Sequence, residues 1–149
     1  MLRTTNCWGA TVFALASLVL LPTWVTLIKK KILVVEDNDD CRELLVLAIA
    51  RLGYEVLEAT TGFEALARAL TTRPDLIMMD LSMPDMDGDE AMVRLKANPA
   101  TSDIPIIVNT AWRVGERAKK AFTAGAAEIL YKPFELARLS EVLMRHLGT

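Results

Sequence analysis

The chain has little of what marks most enzymes and nucleic-acid binders. Two cysteines, Cys7 and Cys41, are too few for a disulfide framework in 149 residues. Neither sits in a Cys-x-x-Cys or Cys/His metal spacing, so both read as free thiols in a reducing compartment. The single histidine, His146, falls in the last turn of the last predicted helix, where the dipole favours a cation, and no neighbour in sequence suggests catalysis. A charge excess is also missing: 17 basic residues face 19 acidic ones, and apart from Lys29, Lys30 and Lys31 the basic ones are scattered. That balance argues against nucleic-acid binding. Internal repeats, low-complexity tracts and a linker into a further domain are absent, so the length bounds one domain with one core.

One long apolar stretch stands apart. Residues 7 to 28 carry no charge and are flanked by Arg3 and the three lysines. They are long enough to span a bilayer, and the lysines would hold the carboxyl end on the cytoplasmic side of the inner membrane. A signal peptide cut near Ala14-Leu15-Ala16 is a weaker reading, since it exports the domain away from a phosphodonor made from ATP. A third reading is a translation start near Val25 or just before the lysines, because an anchor ending at Ile28 leaves almost no linker before a central strand. We therefore divide the chain into an apolar segment, residues 1–28, as membrane anchor or mis-assigned start, and a folded cytoplasmic domain over residues 29–149.

From Lys31 onward, apolar runs alternate with amphipathic stretches, the pattern of βα units wound into a parallel sheet. Strands are predicted over Ile32–Glu36, Tyr54–Ala59, Asp75–Asp80, Ile104–Asn109 and Glu128–Tyr131. The first helix begins at the capping residues Asn38, Asp39 and Asp40, buries Leu44, Leu45, Leu47, Ala48 and Leu52, and stops at Gly53. The second starts with Thr61 and Glu64 as a capping box and continues through Phe63, Leu66, Ala67 and Leu70. A third covers roughly Asp89 to Ala97, after a turn-rich loop in which Asp85 and Asp87 read as turn residues. A weaker fourth, Arg113 to Thr123, is interrupted by Gly115, and a fifth runs from Glu135 to Leu147. Cys41 is expected to pack in the first helix, and Met78, Met79 and Met92 to fill the core.

The strand ends carry the chemistry. In a parallel sheet every carboxyl end lies on one edge, so Glu36 and Asp37, Asp80, Thr110 and Lys132 can meet around one point. Like charges about 4 Å apart repel by roughly 4 kcal/mol at an effective dielectric near 20, so three carboxylates need a cation or a proton. All-oxygen donors suit Mg²⁺. Asp80 is placed to attack phosphorus and form an aspartyl phosphate, with Lys132 and Thr110 binding phosphoryl oxygens. Pro133 holds the residue before it extended, aims the lysine into the crevice, and is a candidate for a cis peptide bond.

These residues resemble the receiver domain of two-component response regulators. The resemblance rests on Ile-Leu-Val-Val-Glu-Asp-Asn at 32–38, Asp80-Leu-Ser-Met-Pro-Asp-Met-Asp-Gly88, Thr110-Ala111 and Lys132-Pro133-Phe134, and runs from about Lys30 to Leu147. It implies a doubly wound, flavodoxin-like α/β fold with five parallel strands in the order 2-1-3-4-5 and five helices. It further implies that Asp80 is the phosphoacceptor, served by a sensor histidine kinase or a histidine phosphotransfer protein. Mg²⁺ would be held by Glu36, Asp37, Asp80 and the backbone carbonyl of Ser82. Thr110 and Lys132 would form a switch that remodels a face of helix four, strand five and helix five, where a downstream protein binds.

Two residues depart from the family pattern. Ile129 stands where an aromatic usually lies, three positions before the lysine, while the tyrosine is Tyr131. Trp112 is bulky for a position near the phosphate, where it is expected to slow hydrolysis. Because the sequence ends with the fifth helix, the expectation is a stand-alone receiver, not an enzyme, whose output is a protein contact. A phosphatase of the haloacid dehalogenase type also uses an aspartyl phosphate, but it needs an acid where Ser82 stands. A membrane-tethered adaptor working without phosphorylation is the remaining alternative.

Overall fold

The computed structural model describes residues 28–111 and 115–148. The readings of residues 1–27 and of Trp112 therefore lie outside the described residues. Elements alternate along the chain as β1 (Lys31–Val35), α1 (Asp39–Arg51), β2 (Glu55–Ala59), α2 (Gly62–Thr72), β3 (Leu76–Met79), α3 (Gly88–Ala97), β4 (Ile106–Thr110), α4 (Glu116–Ala124), β5 (Glu128–Tyr131) and α5 (Leu136–Leu147). All strand pairs are parallel and the order is β2-β1-β3-β4-β5. The doubly wound topology is thus the expected one.

Continuous apolar runs make the central strands because helices cover both faces of the sheet. Ile32 to Val35, Leu76 to Met79 and Ile106 to Val108 are all fully buried. Alternate residues feed two clusters. Leu33, Val35, Ile77, Met79 and Val108 meet α2, α3 and α4, where Ala65, Met92 and Ala121 are buried. Ile32, Val34, Leu76, Met78 and Ile107 meet α1 and α5 through Leu45, Ile49, Leu139, Val142 and Leu143. The methionines read as core filler are buried as expected.

Helix faces differ from the expected ones. In α1 the residues that reach the sheet are Leu45 and Ile49, while Leu44 and Leu47 are 70% and 54% exposed. A helix turns about 100° per residue, so adjacent leucines cannot all point at the same sheet. Cys41 is exposed on α1 and does not pack in the core. In α2 the sheet side consists of Gly62, Ala65 and Ala69, whereas Phe63, Ala67 and Leu70 are exposed. Close approach selects small residues here: a Cβ on Gly62 would lie 2.8 Å from Met86 Cβ.

Caps also shift. Asn38 Oδ1 accepts from Cys41 N at 2.9 Å and starts α1. Thr61 Oγ1 accepts from Glu64 N at 3.0 Å, but the return bond runs from Thr60 N to Glu64 Oε2, one residue before the usual capping box. Gly115 does not interrupt α4; it is its N-cap, with φ of 130°, a backbone conformation open to glycine at no steric cost. His146 Nε2 lies 2.9 Å from Glu128 Oε2, and Arg138 and Arg145 bond to the same carboxylate. That contact crosses from α5 to β5, 18 residues back, and no local pattern could signal it.

Candidate functional site

Each site residue sits at the carboxyl edge of the sheet because a strand ends there. Glu36 and Asp37 follow β1, Asp80 follows β3, Thr110 closes β4 and Lys132 follows β5. Backbone bonds fix the strand ends relative to one another. Asp80 N donates to Val35 O at 2.9 Å, Glu36 N to Ala59 O at 3.1 Å, and Lys132 N to Thr110 O at 2.8 Å. Glu36, Asp80 and Thr110 are buried, whereas Asp37 is exposed.

One carboxylate oxygen from each of Glu36, Asp37 and Asp80 lies within 4.8 Å of the others. Three anions at such spacing need a counter-charge. The lysine supplies part of it: Lys132 Nζ bonds to Glu36 Oε2 at 2.5 Å. Glu36 Oε1 accepts from Asn38 N at 3.4 Å. Lys132 therefore holds Glu36 here, a pairing across 96 residues that the sequence did not suggest. The Lys132-Pro133 bond is cis.

Asp80 has a different environment. Burial pushes its carboxyl above the ordinary range; the Lys132 ammonium opposes this, the Glu36 carboxylate adds to it, and N–H groups of Leu81 and Ser82 pull it back. A carboxylate desolvated in this way gains from any cation placed beside it. The all-oxygen donor set, with exposed Asp37 on one side and buried Asp80 on the other, fits a hard divalent ion such as Mg²⁺.

The loop after Asp80 is tight. Gly88 N donates to Leu81 O at 3.1 Å, and a Cβ on Gly88 would lie 2.4 Å from the Asp80 carbonyl oxygen. Only glycine lets the start of α3 press against the backbone of Asp80. Asp85 and Asp87 are exposed, as expected of turn residues, and Asp87 makes no side-chain cap bond. Ser82 is exposed next to the acids.

Two features of the site went unnoticed in the sequence. Tyr131 is the register partner of Thr110, and Val108 that of Ile129, so both pairs lie on one face of the sheet, the face where Val108 and Ile129 pack. The aromatic missing from position 129 thus stands two residues further along the same face, beside Thr110. The second is Asn109, fully buried between Val108 and Thr110 with no hydrogen-bond partner among the described residues for either side-chain polar atom.

The model of the response regulator receiver domain matches residues 32–144. The polar-differentiation response regulator DivK of Brucella anthropi is 33% identical over 119 residues, covering 80% of this chain and 97% of DivK. The DNA-binding dual master transcriptional regulator RpaA of Synechocystis is 34% identical over 119 residues, covering 77% of this chain and 49% of RpaA. Against the transcriptional regulators it matches, the chain spans about half their length or less. Among solved structures, the receiver domain of a Pseudomonas aeruginosa sensor histidine kinase, with a magnesium ion coordinated in its active-site cleft, superposes with a TM-score of 0.77 at 32% identity, covering 81% of this chain and 99% of that one.

Proposed function

Because the chain belongs to the response regulator receiver domain family, a signalling module of two-component systems, we propose that it is a phosphorylation switch with Asp80 as phosphoacceptor. The observation that carries this is the convergence of the Glu36, Asp37 and Asp80 oxygens within 4.8 Å, next to a lysine that is bonded to one of them. An Asp80 oxygen attacks phosphorus in a phosphohistidine of a sensor kinase or phosphotransfer protein. The P–N bond breaks, and its electron pair leaves on the imidazole nitrogen, which takes up a proton.

Glu36, Asp37, Asp80 and the Ser82 carbonyl would hold Mg²⁺, which when bound neutralises charge on the phosphoryl oxygens. Once Asp80 carries phosphate, the Lys132 ammonium has a doubly charged partner to compete with Glu36, and Thr110 offers its hydroxyl to another oxygen. Movement of Thr110 is felt first by Tyr131, its neighbour across β4 and β5. The readout then falls on the face of α4, β5 and α5, where a downstream protein would bind. With Ser82 in the place of a second acid, the work of the site is signalling and not turnover. Cytoplasmic residence follows from the need for a kinase, and residues 1–28 are either a membrane tether or lie before the true start.

Incubation with acetyl phosphate and Mg²⁺, followed by intact mass, tests the reading. The expected result is a gain of one phosphoryl group that is lost when EDTA replaces Mg²⁺. No gain with any small phosphodonor would overturn it.

A further inference from the structure

The outer face of α1 carries a pattern that the packing of the domain does not use. Asp40, Leu44, Leu47 and Arg51 stand at i, i+4, i+7 and i+11, so at about 100° per residue they fall within an arc of about 60°. All four are exposed, on the side of the helix away from the buried Leu45 and Ile49. Among the described residues the ion pairs of α1 are those of Arg42 with Asp39 and Glu58, and neither Asp40 nor Arg51 takes part in one. Nor can they meet each other, since a rise of about 1.5 Å per residue sets them about 16 Å apart along the axis. Two leucines in water thus lie in one row between end charges of opposite sign. The apolar surface continues sideways, because Leu44 also lines an open groove with Phe134 and with Leu136 of α5.

We propose that this face of α1 pairs with the same face of a second copy of the chain, the two helices running antiparallel about a two-fold axis. The spacing of four, three and four residues reads the same in both directions. With the axis between residues 45 and 46, Asp40 stands against Arg51 of the partner subunit and Leu44 against Leu47 of the partner subunit, and symmetry repeats both contacts in reverse. The leucines leave water together, and every end charge gains a counter-charge. Parallel pairing fails, because it sets acid beside acid and arginine beside arginine. The order of charges selects the occupant: a helix that fits must present a cation, two apolar residues and an anion at this spacing, read against α1. A second α1 supplies them. None of the four residues holds metal or phosphate, so the surface is independent of the phosphoacceptor reading.

Sedimentation equilibrium of the full chain over a range of concentrations tests the proposal. Wild type should show a monomer–dimer equilibrium. Asp40→Arg makes both end pairs alike in charge, as does Arg51→Asp, and each variant alone should self-associate about tenfold more weakly. An equimolar mixture of the two should regain wild-type strength, because each end pair then joins an arginine to an aspartate, and association of the mixture shows that both variants are folded. Leu47→Glu, which lies outside the core, should dissociate the dimer by itself. The proposal is overturned if wild type stays monomeric throughout, including the case in which the Leu44 and Leu47 methyls shift only when a histidine phosphotransfer protein is added. It is also overturned if self-association survives Leu47→Glu and both charge changes, as when residues 7–27 drive it, or if the mixture associates no better than its components.

Discussion

At the scale of single residues, Asp80 is held in a state that the isolated domain does not favour. Its carboxyl is raised by burial and by Glu36, so the folded protein binds protons that the unfolded chain has already released. The penalty is absent below the ordinary carboxylate pKa and grows as pH rises toward the folded value. Asp80→Asn should therefore stabilise the metal-free protein at neutral pH. The gain should vanish below about pH 4. Urea unfolding at several pH values checks this, and added Mg²⁺ should narrow the gap by stabilising wild type alone. The acids, the threonine and the lysine were legible because each ends an apolar run. The bond of Lys132 to Glu36 was not, because it joins strand ends 96 residues apart.

At the scale of elements, the β3–α3 loop couples packing to the site. Gly88 presses on the backbone of Asp80, so a methyl group there must push either α3 or the acceptor out of place. Gly88→Ala should destabilise by about 1 to 3 kcal/mol and reduce phosphate uptake, measured by urea unfolding and by intact mass after acetyl phosphate. A variant as stable as wild type would show that the contact relaxes freely. Strands were the most legible elements, since continuous apolar runs such as Leu76 to Met79 have no other place in a sheet covered on both faces. Helix faces were less so. Gly62, Ala65 and Ala69 carry the packing of α2, and small residues give hydrophobic patterning little signal, while exposed Phe63 and Leu70 give a false one. Gly115 gives an ambiguous signal for a related reason: a positive-φ cap and a mid-helix break look alike in sequence.

At the scale of the whole molecule, both core clusters among the described residues lie between Ile32 and Leu147. Because the receiver-domain match spans residues 32–144, residues 28–149 expressed alone should show a urea midpoint matching that of the full chain. A fragment that fails to fold would mean that the first 27 residues contribute to the core. No helix among the described residues is long and apolar enough to cross a membrane. Alternation of runs gave the α/β class, but the strand order came from the resemblance, because periodicity does not say which strands are neighbours. The family membership and fold agree with that reading.

The central claim is that the phosphoryl group goes to one carboxylate of three. Reduction of the phosphorylated protein with borohydride, which converts an acyl phosphate to an alcohol, followed by peptide mass spectrometry, locates it. The account predicts homoserine at position 80 alone. Reduction at position 37, or a phosphate that resists borohydride, would contradict it.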